Sequence, residues 1–260
     1  MLKGKNAIVT GSTSGIGLAI AHSLAAQGCN LVLNGLGEKA LIDWLLAEFP
    51  KQYAIKAVYS SADMTKPDQI RDMVKTCDST LGGVDILVNN AGIQFTAPVD
   101  QFPEDKWDAI IAINMSAAFH SIKAALPGMK SQGFGRIINI ASVHGLVGSE
   151  NKVAYVAAKH GIVGITKVAA LENAASGITV NAICPGWVLT PLVQKQIDDK
   201  AKAEKLSVEE ASAKLLGEKQ PNKRFISPEN IGAMIVFLCG EHGAPMTGEI
   251  ITMDGGWTAQ

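Results

Sequence analysis

The sequence has no excess of one charge, few cysteines and no long apolar run, and each absence excludes a class of protein. Its 260 residues carry 23 Lys and Arg against 24 Asp and Glu, a formal net charge of −1, so no basic surface should attract nucleic acid. The four cysteines are scattered without a CxxC pair, which fits reduced thiols in a cytoplasm better than disulfides or zinc. We expect neither a metal site nor a nucleic-acid partner.

Membrane and export signals are missing as well. The run AMIVFLC from Ala233 is much shorter than the about 20 apolar residues that a membrane-spanning helix requires. The opening MLKGKNAIVTG moves directly into a strand pattern, which leaves no room for a signal peptide. With 47% hydrophobic residues the chain has enough apolar side chains for a full core. We expect a soluble, cytoplasmic protein that makes no membrane contact.

What is present is a regular alternation of short aliphatic runs with longer segments of helical period. The runs are NAIVT, NLVLN, AIKAVYS, DILVNN, GRIINIAS, GITVNAIC and EIITMD. Parallel neighbours need a crossover, usually a helix, and strands covered on both faces lack polar alternation. The pattern predicts an α/β fold: a single doubly wound Rossmann-type domain over residues 1–260, with a seven-stranded parallel sheet and helices on both faces.

One segment breaks this rhythm. Residues 190–222 are highly charged, helical in composition and bounded by prolines. One interpretation is a solvated helical excursion. We favour a mobile lid over a site at the strand ends, because open α/β sheets bind ligands there.

A glycine-rich turn follows the first predicted strand. In TGSTSGIG, Gly11, Gly15 and Gly17 open a helix, so the backbone can approach a pyrophosphate at the helix N-terminus. The acidic residue that commonly holds the adenosine ribose after the second strand is absent, and main-chain contacts at Gly35 and Leu36 would replace it. No Arg or Lys lies between positions 34 and 37 to bind a 2′-phosphate, although Lys39 is close, so NAD is favoured over NADP.

A tyrosine and a lysine lie four residues apart in YVAAK, at the start of a predicted helix. Tyr155 and Lys159 therefore share one helix face. A phenol has an ordinary pKa of about 10, and a neighbouring ammonium lowers it towards the range of a usable base. Taken alone, the pair also fits an ordinary solvated helix surface.

Several motifs occur together in register: TGSTSGIG, NNAG at 89–92, Asn114, Ser142, YVAAK and PGW. Their order and spacing resemble the short-chain dehydrogenase/reductase family over essentially the whole chain. The resemblance implies that Ser142 binds the reacting oxygen, Tyr155 exchanges the proton as general acid/base, Lys159 holds the nicotinamide ribose, and Asn114 supports a water relay. It also implies a homotetramer. The implied cofactor-binding residues are Gly11, Thr13, Gly15, Ile16, Gly17, Gly35, Leu36, Asp63, Asn90, Tyr155, Lys159, Pro185 and Val188.

Two further polar residues should lie near the reacting centre. His144 and Lys152 would together suit a carboxylate, although a loop-ordering histidine and a solvated lysine are equally good readings of each residue alone. The motifs NNAGIQ, SVHG, NKVAY, CPGWVLTPLVQKQ and GGWT resemble family members that oxidise small hydroxy acids. That likeness implies NAD-dependent interconversion of (R)-3-hydroxybutyrate and acetoacetate. It implies a substrate site formed by Gln94, His144, Lys152, Trp187, Gln196 and Trp257, with the tryptophans around the methyl end.

Two alternatives remain. A 3-oxoacyl thioester reductase of the same family would normally use NADP and meet a large acidic partner, for which no basic docking patch is evident. A non-catalytic NAD-binding sensor would keep the glycine turn but would have no use for Ser142, Tyr155, Lys159 and Asn114 together. Without the family likeness, Trp187 and Trp257 would more often be core or subunit-interface residues.

Overall fold

Seven parallel strands form one sheet in the computed structural model, which describes residues 2–259. The strands are β1 (Asn6–Val9), β2 (Asn30–Asn34), β3 (Ala57–Ser60), β4 (Ile86–Asn89), β5 (Gly135–Ile140), β6 (Ile178–Pro185) and β7 (Ile250–Met253). Their order is β3-β2-β1-β4-β5-β6-β7, and every pairing is parallel. The predicted seven-stranded α/β fold is confirmed, although β3 begins three residues later than the apolar pattern indicated.

Helices cover both faces of this sheet. They are α1 (Gly15–Ala26), α2 (Lys39–Tyr53), α3 (Pro67–Leu81), α4 (Glu104–Ile111), α5 (Ala117–Gln132), α6 (Val153–Asn173), α7 (Pro191–Glu204), α8 (Val208–Lys219) and α9 (Pro228–Cys239). Successive strand residues point to opposite faces, so Val9 packs in one core with α1, α2 and α9, while Ile8 packs in the other with α3, α5 and α6. Both faces are therefore buried, which explains why the strands lack polar alternation.

The strand order reverses beside β1. From β1 the chain proceeds outward to β2 and β3, then returns to the other side of β1 at β4. In open α/β sheets, ligands bind outside the carboxyl ends of the strands at such a switch point. The loops after β1 and β4 therefore form the expected place for a ligand.

The long helical segment that follows β4 is interrupted. α4 and α5 are joined by a π-helical turn at Ala112–Ser116, which the sequence pattern did not predict. The whole segment, Glu104–Gln132, has the length and composition of a membrane span, but core helices of folded proteins meet the same criteria. Here Ala117, Ile122 and Met129 of α5 are buried in the core under the sheet.

The 190–222 insertion forms two helices, α7 and α8, with their own small apolar cluster. Val193, Ile197, Ala201 and Ala211 are buried in it. Thr190 begins α7 by accepting a hydrogen bond from the Val193 N–H, at 3.3 Å. Trp187 and Phe225, which flank the insertion, pack against this cluster, and its buried residues belong to neither of the two cores on the sheet.

Candidate active site

The glycine-rich turn after β1 lies against the loop that follows β4. Gly11 and Gly15 have left-handed φ angles of 64° and 54°, and a Cβ on Gly17 would lie only 2.1 Å from the Gly11 carbonyl oxygen. The Asn90 amide donates to the carbonyl oxygens of Thr10 at 2.9 Å and Gly11 at 3.2 Å. Glycine is therefore required at these positions, and the turn lies at the N-terminus of α1, which suits a pyrophosphate.

The end of β2 is tied to this turn by hydrogen bonds. Thr13 Oγ1 donates to the Leu36 carbonyl at 2.6 Å, and the Tyr59 hydroxyl donates to the Gly35 carbonyl at 2.7 Å. A Cβ on Gly35 would lie 2.5 Å from Thr13 Oγ1, so glycine is required. Leu36 is 94% exposed, and Lys39 forms an ion pair with Asp43. The structure therefore brings Gly35, Leu36 and Thr13 together at the groove.

Asp63 lies after β3 on the same edge of the sheet. Its carboxylate accepts hydrogen bonds from the main-chain N–H and hydroxyl of Thr65, both at 2.8 Å. These bonds lower the pKa of Asp63, so the exposed side chain is ionised at neutral pH. Its position at the strand ends is compatible with contact to the adenine half of a dinucleotide.

Three side chains implicated in proton transfer meet beyond β5 and on the first turns of α6. Ser142 follows β5, and its Oγ accepts a hydrogen bond from the His144 N–H at 3.2 Å. On α6, Tyr155 and Lys159 share a face, with Lys159 Nζ 5.6 Å from the Tyr155 ring centroid. Lys159 Nζ also donates to the Ile140 carbonyl at 2.7 Å, which fixes the ammonium beneath the phenol.

Burial dominates the pKa values of this pair. Burial raises the pKa of Tyr155, and a hydrogen bond with Ser142 opposes that rise. Burial also lowers the pKa of Lys159 to about 8. The Lys159 ammonium is bonded to the Ile140 carbonyl, and its expected effect on the Tyr155 pKa stays a prediction.

Asn114 lies in the π turn, behind the loop that follows β4. Its Oδ1 accepts from the Ile93 N–H at 2.8 Å, and its Nδ2 donates to the Ile93 carbonyl at 2.9 Å. Both polar atoms of the side chain are thus engaged by one residue. The water relay implied for Asn114 stays a prediction, and π turns frequently mark functional sites.

All six predicted substrate residues line one cavity of about 930 Å³, measured with its open mouth. Ser142, Tyr155 and Lys159 line the same cavity, as do the predicted cofactor residues Ile16, Asn90, Pro185 and Val188. The remaining cofactor candidates lie in the loops after β1, β2 and β3 or at the start of α1 and do not line this cavity, and Asn114 bonds to Ile93 in its wall. The structure thus brings the substrate candidates and the proton-transfer candidates together in one cavity.

The polar end of the cavity contains a neutral histidine beside a lysine. Burial, together with the Lys152 charge, lowers the pKa of His144 to about 4. The His144 Nδ1 atom is buried without a partner among residues 2–259. Burial also lowers the pKa of Lys152, which forms no ion pair within that range. Only one of the two expected cations is therefore charged at neutral pH.

Two indole rings lie beside this histidine and lysine. The Trp187 and Trp257 ring centroids are 6.0 Å apart, and the His144 ring meets Trp257 edge-on at 5.5 Å. Lys152 Nζ lies 5.4 Å from the Trp187 ring centroid. An acid with a short apolar tail matches this combination of one cation, hydrogen-bond donors and indole rings.

Sequence reasoning missed several residues of this cavity. Thr190 and Val193 at the start of α7 line it, and Thr190 is the nearest side chain to the open face of Gly15. The Thr-Pro pair at 190–191 is a recognisable helix start and could have indicated Thr190. Gly186 also lines the cavity.

Comparison with known proteins agrees with the fold and the motifs. A short chain dehydrogenase model matches residues 5–201, so the chain belongs to the short-chain dehydrogenase family of oxidoreductases, which use nicotinamide dinucleotides. The chain is 56% identical over 260 residues to the D-beta-hydroxybutyrate dehydrogenase of Cupriavidus necator, covering 100% of both chains. It is 52% identical over 256 residues to the D-beta-hydroxybutyrate dehydrogenase of Rhizobium meliloti, covering 98% of this chain and 99% of that one.

Solved structures agree with this membership. The L-sorbose reductase from Gluconobacter frateurii, complexed with NADPH and L-sorbose, superposes with a TM-score of 0.95 at 30% identity. The match covers 100% of this chain and 98% of that one. The family resemblance predicted from the motifs is therefore confirmed.

Proposed function

We propose that the protein interconverts (R)-3-hydroxybutyrate and acetoacetate with NAD. The observation that carries this proposal is one cavity that Ser142 and Tyr155 line together with two tryptophans and Lys152, a lysine with no ion pair within residues 2–259. The two relatives named D-beta-hydroxybutyrate dehydrogenase, 56% and 52% identical over nearly their whole lengths, support it.

The substrate carboxylate binds at the polar end. Lys152 supplies the charge, and neutral His144 donates a ring N–H to the carboxylate, for which its unpartnered Nδ1 is available. Gln94 and Gln196 approach from the loop after β4 and from α7 respectively. A charge-assisted hydrogen bond from lysine in a half-buried site is stronger than a neutral one, so Lys152 contributes most of the affinity.

The methyl end packs against Trp187 and Trp257, which limit the length of the acid. Because Gln196 lies on α7, substrate binding draws the 190–222 insertion over the cavity, which gives the insertion its role as a lid.

Ser142 and Tyr155 act on the reacting oxygen. Negative charge develops on that oxygen during reduction, and the two hydroxyls donate hydrogen bonds to it. The neutral phenol of Tyr155 then provides the proton. In the reverse direction Tyr155 must first lose its proton, and the Lys159 ammonium below it stabilises the phenolate.

The glycine turn and strand ends fit a nicotinamide dinucleotide, which supplies the hydride-transfer chemistry when it is bound. Gly11, Gly15 and Gly17, with Thr13 and Ile16, would hold the pyrophosphate, and Asn90 fixes their turn. Gly35, Leu36 and Asp63 would hold the adenosine. Tyr155, Lys159, Pro185 and Val188 would hold the nicotinamide half.

The preference for NAD rests on the end of β2. A 2′-phosphate needs a cation there, whereas the nearest lysine, Lys39, is 87% exposed in its side chain and paired with Asp43. Leu36 offers an apolar side chain at the same place.

We also propose that the protein is a cytoplasmic homotetramer. The four cysteines are free and buried, as reduced thiols are. Helices α5 and α6 expose Phe119, Val168 and Leu171, the last at 80%, which supports a subunit contact through these helices.

Initial NADH formation from the separate (R) and (S) enantiomers of 3-hydroxybutyrate, with NADP in parallel, tests the function. We expect turnover only with the (R) enantiomer and NAD. Equal turnover with NADP would overturn the cofactor assignment alone. No turnover with either enantiomer and either cofactor would overturn the substrate assignment; activity on a 3-oxoacyl thioester with NADPH would then establish the reductase alternative.

A further inference from the structure

One buried glutamine lies where the 190–222 insertion returns to the body of the protein. Gln220 follows the last residue of α8 and is only 1% exposed. Its neighbours Pro221 and Asn222 are exposed, as the charged sequence EKQPNK suggests. A polar side chain buried in such a segment needs hydrogen-bond partners to be stable there.

Those partners connect it to the cavity wall. Gln220 Oε1 accepts a hydrogen bond from the Trp187 main-chain N–H at 3.0 Å. Its Nε2 donates to the Arg224 carbonyl and to Asn222 Oδ1, the latter at 3.4 Å. Every polar atom of the amide is engaged, so the side chain has one defined orientation.

The glycine of the PGW motif makes room for this contact. A Cβ on Gly186 would lie 2.6 Å from Gln220 Oε1 and 3.1 Å from Asp254 Cα. Gly186 is not required by its φ angle, because it is absent from the residues with positive φ. Its lack of a side chain therefore allows the glutamine to reach the main chain of Trp187.

Residues 220–226, which we call the return segment, also contact the second tryptophan loop. The Asn222 N–H donates to the Gly255 carbonyl at 3.0 Å, and the Ile226 N–H donates to the Trp187 carbonyl at 2.9 Å. The Asp254 carboxylate holds the Trp257 turn by accepting from the Gly256 and Thr258 N–H groups, at 3.0 and 2.8 Å. The return segment thus bridges the main chains that carry the two indoles.

We propose that Gln220 is a positioning residue for substrate selection: it fixes Trp187 relative to Trp257 and so sets the length of the apolar end of the cavity. It contacts neither the reacting groups nor the glycine turn. The claim that Gln220 sets the length of the substrate rests on the proposed function, whereas the claim that it positions Trp187 does not.

The test compares wild type with Gln220→Met, which keeps the length of the side chain and removes its amide. Gln27→Met is the matched control, because Gln27 follows the last residue of α1 and is exposed, with no side-chain hydrogen bond within residues 2–259. Kinetics are measured with (R)-3-hydroxybutyrate and its homologue one methylene longer, and NAD affinity and thermal midpoint are measured separately. One methylene in an apolar pocket is worth about 10- to 200-fold in discrimination.

We expect Gln220→Met to reduce that discrimination about 10-fold and to raise KM for the shorter acid, with NAD affinity unchanged. Gln27→Met should change none of these values. Unchanged discrimination in Gln220→Met would overturn the proposal. A matching loss of NAD affinity and thermal midpoint would also overturn it, because Gln220 would then support the fold in general.

A readout without turnover separates this proposal from the proposed function. Fluorine NMR of the protein labelled with 5-fluorotryptophan gives one signal for each of Trp44, Trp107, Trp187 and Trp257, assigned by single Trp→Phe variants. Gln220→Met should shift the Trp187 and Trp257 signals and leave the other two in place. If wild type oxidises no hydroxy acid but these two signals shift, the proposed function fails and the positioning role stands; if they do not shift, the positioning role fails.

Discussion

Asn114 and Ile93 are joined by a pair of hydrogen bonds in which one side-chain amide meets both main-chain polar groups of one residue, at 2.8 and 2.9 Å. Asn114 lies in the π turn between α4 and α5, and Ile93 lies in the loop that lines the cavity beside Gln94. The irregular turn and the cavity wall are therefore one rigid unit. Asn114 is buried, whereas Ile93 is partly exposed in the cavity wall.

Asn114→Leu should lower kcat. Leucine has a similar size but leaves the N–H and carbonyl of Ile93 unpaired, so the loop shifts, and a misplacement of about 1 Å near reacting groups can cost about 100-fold in rate. The unpaired groups should also cost about 1–3 kcal/mol in the free energy of unfolding. Steady-state kinetics and urea denaturation measure the two effects. Unchanged kcat would show that the pair does not position the site.

Tyr155→Phe should abolish turnover while leaving cofactor affinity nearly unchanged. The phenol hydroxyl is the proposed proton donor and acceptor, and such groups contribute about 10²–10⁴-fold to rate. The ring itself remains in place against His144. Single-turnover kinetics and NADH fluorescence titration distinguish the two properties. A variant that keeps its rate would show that the Tyr155 hydroxyl is not the proton donor and acceptor.

Lys152→Met should raise KM for 3-hydroxybutyrate about 10- to 100-fold, the value of a hydrogen bond to a charged group. Methionine keeps most of the side-chain length, so packing against Trp187 is largely preserved. 2-Butanol, which lacks a carboxylate, is the control substrate, and its kcat/KM should not change. An equal loss for both substrates would assign Lys152 to the support of Tyr155 rather than to the carboxylate.

The strands and their faces were predictable because both faces of the sheet are buried. Ile8 and Val9 enter opposite cores, so their strand reads as an unbroken apolar run between polar turns. The glycine turn was predictable for a similar reason, since Gly17 has no space for a Cβ. These features depend on local spacing, which the sequence displays directly.

Other features depend on contacts distant in the chain. The π turn at Asn114 interrupts a segment whose apolar period is helical throughout, so nothing local marks it. Gln220 lies in a charged stretch and is buried only because the main chain of Trp187, 33 residues earlier, meets it. The neutrality of His144 follows from its burial, which no motif encodes.

Acid should destabilise the protein partly through His144. Its pKa is lowered from 6.5 to about 4 in the folded protein, so the unfolded chain binds a proton first as pH falls. As far as His144 is concerned, the folded protein therefore has its full stability above pH 6.5. Its free energy of unfolding falls as the pH is lowered from 6.5 towards 4, because the unfolded chain takes up the proton and the folded protein does not. At pH 5 the loss is about 2 kcal/mol. Urea unfolding of wild type and His144→Gln at pH 7 and pH 5 measures it.

The variant should lose less stability on acidification than wild type. His160→Gln is the control, since His160 is exposed on the same helix as Tyr155, and it should follow wild type. If His144→Gln and wild type lose stability equally between pH 7 and pH 5, the imidazole is not held neutral by the fold.

Ile197→Ala should loosen α7 and α8 without weakening the sheet. Ile197 is fully buried, but its apolar neighbours belong to the small cluster of the 190–222 insertion rather than to either core. A buried Ile→Ala change costs about 2–5 kcal/mol in stability. Here we expect it to lower the free energy of local opening of the insertion rather than that of global unfolding. Hydrogen exchange should therefore quicken at residues 193–219 and stay slow in β4 and β5. KM for the substrate should rise because Gln196 is adjacent, while NAD affinity changes little.

Ile20→Ala is the control, at a fully buried site on α1 in one of the two cores of the sheet. It should instead lower the global thermal midpoint. If Ile197→Ala quickened exchange across the sheet as Ile20→Ala does, the insertion would unfold with the body, and it could not close over the cavity as a separate unit.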